Sequence, residues 1–267
     1  MYLAFYGLQE FPFNITPDPR FLYFAPHHRE AYDHVMYGIL NRKGFILLTG
    51  EVGSGKTTLC RAVLGNLGRE TATALILNPS LTESQLLKAI LNDFGLEVRG
   101  RDRLVYIETL NGFLLEKNRQ GVNVAVLIDE AQDLSPRVME QVRLLSNLET
   151  DQHKLMQIVL CGQPELKKRI GRDDLRQLRQ RITVRYDLPP LSEEETEAYI
   201  RHRLWVAGSD GSVTFAHSAI RAVHRYAQGC PRLINAVCDN TLLAGYVERS
   251  MRLSGRTVKR AIEQLEG

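Results

Sequence analysis

The sequence has 267 residues, 44% hydrophobic and 24% charged, which suits one large domain or two small ones and excludes a disordered chain. A net charge of +3 is mild, so any nucleic-acid footprint has to be a local patch. No apolar run reaches membrane-span length, residues 1–7 lack the form of a signal peptide, and Cys60, Cys161, Cys230 and Cys238 lack metal-ligand spacing, which together imply free thiols in a reducing, cytoplasmic compartment.

Residues 5–23 are rich in aromatics and proline, including Phe11-Pro12-Phe13 and Pro17-Asp18-Pro19-Arg20-Phe21. The prolines interrupt regular structure while the aromatics need a surface to pack on. A helix is predicted over 28–41. Short apolar or β-branched runs then predict strands at 45–49, 73–77, 124–128, 155–161 and 183–188, with helices between them. Thr82 with Gln85 and Ser192 with Glu195 fit capping boxes, and Ser135-Pro136 opens a helix with Val138, Val142, Leu145 and Leu148 on one face. Alternating strands and helices predict a parallel sheet covered on both sides. Beyond Pro189-Pro190 the strand pattern stops, and four helices are expected with breaks near 208–212, 229–231 and 254–255. The expected organisation is therefore an α/β domain over 1–190, including a leading segment 1–41, and an all-helical domain over 191–267.

The run Gly50, Glu51, Val52, Gly53, Ser54, Gly55, Lys56, Thr57 matches GxxxxGK[ST] in full. Glycines let the backbone wrap a phosphate with several N–H groups pointing inward, and the following helix offers its positive end. Lys56 would reach the β- and γ-phosphates and the Thr57 hydroxyl would coordinate Mg2+. The predicted strand before the run and helix after it supply the context this motif requires. A second buried strand delivers Asp129 and Glu130 at its carboxyl end, where open α/β sheets bind ligands. Asp129 would join the magnesium shell and Glu130 would polarise the attacking water. These residues together imply binding and hydrolysis of ATP.

Asn78 follows the second predicted strand and Gln163 follows the fourth; each could bond the γ-phosphate, the water or Glu130, or merely cap a strand or turn. Arg169, Arg172, Arg176, Arg179, Arg181 and Arg185 form a basic stretch open to three readings: a solvated face, an arginine finger offered to a neighbouring subunit, or a nucleic-acid footprint. Arg181 is the choice for a finger. Arg232 falls in the first turn of a predicted helix, where a cation opposes the helix dipole unless it reaches across to a phosphate.

These motifs resemble the AAA+ ATPases and, more narrowly, the ExeA/GspA-type secretion ATPases. The resemblance is carried by Phe11-Pro12-Phe13, Thr16-Pro17-Asp18-Pro19-Arg20-Phe21-Leu22-Tyr23, Tyr37-Gly38-Ile39, residues 50–58 including Thr58, Asp129-Glu130-Ala131-Gln132, Gly162-Gln163-Pro164-Glu165-Leu166, Gln180-Arg181-Ile182 and residues 229–235. It implies a P-loop fold with a five-stranded parallel sheet in an αβα sandwich plus a C-terminal helical lid. By the same resemblance Gln163 takes the sensor-1 position, Arg232 sensor 2, and Asn78 the residue that switches the glutamate. Tyr37, Pro12 and Phe13 would border the adenine. It further implies a homo-oligomer with nucleotide at subunit interfaces and a secretion, pilus or export partner at the inner membrane. Similar full-length proteins continue into a membrane helix, so the natural chain is open to being longer. A DNA-associated regulator of the transposition-helper kind shares the core motifs and remains the alternative.

Overall fold

The computed structural model describes residues 1–16, 18–77, 80–98, 100, 102–150 and 154–266. After one helical turn, α1 (Tyr2–Phe5), come α2 (Pro26–Leu40), β1 (Phe45–Gly50), α3 (Lys56–Asn66), β2 (Thr71–Ile76), α4 (Glu83–Asp93) and α5 (Arg103–Arg119). They are followed by β3 (Asn123–Ile128), α6 (Pro136–Leu145), β4 (Gln157–Gly162), α7 (Pro164–Ile170), α8 (Arg176–Arg181) and β5 (Ile182–Leu188). The C-terminal part holds α9 (Glu193–Val206), α10 (His217–Ala227), α11 (Pro231–Val247) and α12 (Gly255–Glu266), with a two-residue pair β6 (Thr214–Phe215) and β7 (Arg252–Leu253).

Contacts divide the chain into two compact units, one of Glu30–Gly50 and Leu59–Leu188, the other of Met1–Arg29, Glu51–Thr58 and Pro189–Gly267. The first is a sheet unit. Its five strands are all parallel and ordered β2-β3-β4-β1-β5. The strand pattern follows from burial on both faces: side chains alternate, so Val124, Val126 and Ile128 enter one core with α4, α5 and α6, while Ala125 and Leu127 enter another with α2 and α3. Each such fully buried aliphatic side chain contributes about 1.5–3 kcal/mol. That sum, rather than intrinsic propensity, fixes the strands. The Cys60 and Cys161 thiols meet across the second core at 2.9 Å without a disulfide, and Cys230 and Cys238 are likewise not disulfide-bonded. Thr82 closes a full capping box at α4, and Ser135 caps α6 through the Val138 N–H.

The second unit is helical, and its membership departs from the expected division at 190. Tyr2, Tyr6, Leu8, Phe13 and Phe21 share one core with Ile200, Leu204, Val223, Ile234, Val237 and Leu242. The physical reason lies in the aromatics themselves, whose large apolar area is buried against the helices. Tyr6 donates its hydroxyl hydrogen to the Leu242 or Ser250 carbonyl, and Gln9 N–H bonds the Ala207 carbonyl at 2.8 Å. Arg203, 6% exposed, donates to the carbonyls of Pro12 and Asn14 and to the Tyr199 hydroxyl, with Phe21 against its guanidinium at 4.8 Å. Gly229 (φ +73) makes the sharp turn before α11 and lies so close to Leu191 that a β-carbon would come within 2.1 Å of its carbonyl. No helix among the described residues is long and apolar enough to cross a membrane.

Candidate active site

The sheet unit carries the acidic half of the site. Parallel strands put the carboxyl ends of β1, β3 and β4 at one sheet edge. Asp129, 3% exposed, directly follows β3 and its backbone N–H bonds the Ile76 carbonyl at 2.9 Å. Its carboxylate accepts the Glu130 N–H at 3.0 Å. Glu130 has φ 50 and ψ 37, a left-handed conformation that a non-glycine residue adopts only where surroundings enforce it. One carboxylate oxygen of Glu130 accepts from two side-chain amides, Gln132 at 2.7 Å and Gln163 at 3.3 Å. Gln132 in turn accepts the backbone N–H of Gln163 at 3.0 Å, and its own carbonyl accepts from Arg169 at 3.0 Å. Glu130, Gln132 and Gln163 thus form one closed amide–carboxylate network. Gly162 is needed there, because a β-carbon would stand 2.7 Å from the Gln132 amide oxygen.

The structure therefore brings Glu130 and Gln163 together, and it adds Gln132, to which sequence reading assigned no role. Asn78 lies outside the described residues. Arg181 is half-buried, and its guanidinium donates to the Ser146 hydroxyl and, at 2.6 Å, to the Asn147 side chain at the carboxyl end of α6. Tyr37 is exposed on α2 with Lys43 over its ring, while its neighbour Gly38 packs so tightly that a β-carbon would lie 2.5 Å from Ile46.

The phosphate-loop half belongs to the helical unit. Gly50 ends β1, and residues 51–55 lead into α3 at Lys56. Gly53 (φ +76) and Gly55 (φ +97) adopt conformations that favour glycine, as a loop curling its N–H groups inward requires. Lys56 is 5% exposed, and its ammonium donates to the Glu51 carbonyl at 2.9 Å, bracing the loop across its own mouth. Thr57 and Thr58 are half-buried in the first turn of α3.

Helix α11 meets this loop at its amino end. The Arg232 N–H bonds the Gly53 carbonyl at 3.2 Å and the Cys230 thiol donates to the Val52 carbonyl at 3.2 Å. A β-carbon on Gly53 would stand 2.5 Å from that of Arg232, so glycine is required by contact as well as by conformation. The Arg232 residue is exposed. Pro12 and Phe13 are buried: the Pro12 carbonyl serves Arg203, and the Phe13 ring packs edge-on to Phe215 at 6.3 Å. His28 also reaches the loop, with Nε2 3.1 Å from the Ser54 carbonyl, a contact no sequence pattern announced.

Within the helical unit Thr57 carries a hydroxyl, and within the sheet unit Asp129 carries a carboxylate, each an oxygen donor of the kind Mg2+ takes.

Comparison with known proteins bears on the family and the fold. An AAA domain family matches residues 39–170. General secretion pathway protein A of Aeromonas hydrophila is 46% identical over 268 aligned residues, which take in 100% of this chain and 49% of that protein. This chain belongs to the AAA+ ATPases of the general secretion pathway protein A type. It spans about half the length of that relative. Among solved structures, Cdc6p from Pyrobaculum aerophilum superposes with a TM-score of 0.71 at 14% identity, covering 95% of this chain and 70% of that one. The Aeropyrum pernix ORC2 protein, solved as ADPNP-ADP complexes, gives a TM-score of 0.67 at 16% identity over 93% of this chain and 72% of that one. At such identities these two establish the AAA+ fold alone. They account for the five-stranded parallel sheet with its helices.

Proposed function

We propose that this chain binds ATP with Mg2+ and hydrolyses it, and that turnover drives the assembly or energising of a secretion, pilus or export machine at the bacterial inner membrane. The carrying observation is the Glu130 carboxylate, held in a left-handed backbone turn at the end of β3 by the Gln132 and Gln163 amides. Amide donors keep the carboxylate oriented, which suits a base that positions water. The phosphate loop, from Gly50 through Glu51, Val52, Gly53, Ser54 and Gly55 to Lys56, Thr57 and Thr58, holds the phosphates. Thr57 and Asp129 would hold magnesium, which would supply neutralisation of the phosphate charge. Gln163 senses the γ-phosphate; Asn78, outside the described residues, acts on Glu130. Arg232 reaches the phosphates from the start of α11. Tyr37, Pro12 and Phe13 border the adenine, the buried Phe13 by shaping the segment rather than by offering its ring face.

Arg181 serves as the finger to a neighbouring copy. It has to leave Ser146 and Asn147 to do so, which couples subunit contact to the end of α6. Arg181→Ala then lowers turnover only at concentrations where copies associate; unchanged activity there would remove Arg181 from the mechanism. The protein acts on the cytoplasmic side, and its partner is a component of the export machine. The general test is steady-state ATP hydrolysis against protein concentration, with and without DNA. Specific activity that rises with concentration and ignores DNA supports this reading, whereas activity that requires DNA supports a transposition-type helper instead.

A further inference from the structure

His28 lies in the first turn of α2 and is 4% exposed. Its Nε2 stands 3.1 Å from the Ser54 carbonyl oxygen. A carbonyl only accepts, so Nε2 carries the proton and Nδ1 carries the lone pair. Nδ1 is buried and has no partner among the described residues. Burial pushes the imidazole below its ordinary value, with His27 adding to that effect and the Ser54 bond and Glu195 opposing it, so the ring is neutral near pH 7. A side chain that only filled this space would do so without an orphaned acceptor, and leucine has comparable bulk. The donor at Nε2 is what the imidazole adds.

What that donor controls follows from peptide geometry. The Ser54–Gly55 bond is trans, so its C=O and N–H point in opposite directions. Holding the carbonyl against His28 turns the Gly55 N–H away from the ring. Gly55 has φ +97 and touches the imidazole, since a β-carbon there would lie 3.4 Å from Nε2. Glycine also lets a peptide plane rotate at low cost. The orientation of this amide therefore depends on an external hold.

We propose that His28 is a positioning residue of the phosphate loop: by holding the Ser54 carbonyl it presents the Gly55 N–H as a donor to a nucleotide phosphate. This rests on the ATP reading of the loop. It predicts that, at neutral pH, the ring matters for phosphate binding and not for the stability of the nucleotide-free protein.

The experiment compares His28→Leu, which keeps bulk without a donor, with His28→Gln, whose amide nitrogen reaches the Nε2 position. Calorimetric affinity for ATP and for adenosine is measured alongside the nucleotide-free melting temperature. His28→Leu is expected to weaken ATP about tenfold, the worth of one hydrogen bond to an anion, and to leave adenosine unaffected. His28→Gln is expected to restore most of that loss. Should the leucine variant not fold, His28→Ala with imidazole added to the buffer gives the same reading through recovered ATP affinity. Wild-type ATP affinity in His28→Leu, or equal losses in the leucine and glutamine variants at equal stability, would overturn the proposal. Lys56→Ala run in parallel separates the two layers. If it leaves ATP binding intact the phosphate-loop reading fails and this role with it; if only the His28 variants are silent, this role alone fails.

Discussion

The two sets of candidate residues, one in each unit, are held by opposite means. The acidic half sits at the ends of buried strands, and side-chain amides fix its chemistry: Gln132 and Gln163 share one oxygen of Glu130. The phosphate-loop half is held largely through its backbone carbonyls. Those of Glu51, Val52, Gly53 and Ser54 are each taken up, by Lys56, Cys230, Arg232 and His28 respectively. Two of these partners, Cys230 and Arg232, come from the start of α11, and His28 from the start of α2. An occupied carbonyl turns the N–H of its own peptide to the opposite side, although the Ser54 N–H is itself spent on the Glu51 carbonyl at 3.1 Å. A carboxylate is thus tuned by its neighbours' side chains, whereas a phosphate cradle is tuned by what lies behind it.

This contrast can be broken from either side. The largest effect on ATP binding belongs to Lys56, the loop's own cation. Lys56→Ala is expected to weaken ATP binding by about 100-fold, from loss of a charge-assisted bond, measured by calorimetry. Gln132→Ala should act differently: it removes a donor to Glu130 and leaves the Gln163 N–H without its acceptor. Turnover should fall about tenfold, and stability by about 1–2 kcal/mol, while ATP affinity holds. A loss of affinity instead would erase the distinction between the halves.

The smallest effect is on pH. Burial holds His28 and His202 below their ordinary value of 6.5, so the unfolded chain binds more protons than the native one just below that pH. Stability is therefore full above about pH 6.5 and declines as acid is added, until the native rings also protonate. Thermal melts between about pH 8 and pH 5 check this, and His28→Gln should flatten the profile. The carboxylates held low by bonding, among them Asp18 beside Arg20 and Glu140 beside Arg143, act only in a lower window.

The same contrast sets what was legible in the sequence. β1, β3 and β4 were readable because both faces are buried and the runs are mostly apolar, although β4, expected over 155–161, runs Gln157–Gly162. β2 was expected over 73–77 and runs Thr71–Ile76; it is an edge strand with half-buried positions, so its periodicity is weak. Gly53, Gly55, Lys56, Asp129 and Glu130 carry signals in their own types and spacing. Gln132 and His28 do not. An amide two residues after a glutamate, or a histidine in the first turn of a helix, has no spacing that foretells its partner, because the contact arises only when distant segments fold together. The leading segment shows the same limit. Its aromatics announced a packing surface, but that the surface is the helical core of Ile200, Val223 and Ile234 required the fold.

The central claim is that Glu130 activates water for hydrolysis of an ATP that the phosphate loop binds. The most direct measurement sets ATP affinity beside turnover in the wild-type protein and in Glu130→Gln, under conditions where the wild type is active. The account predicts unchanged affinity with turnover reduced about 10²- to 10⁴-fold, the worth of a general base. Wild-type turnover in Glu130→Gln would contradict it and reduce the Glu130–Gln132–Gln163 network to a structural turn.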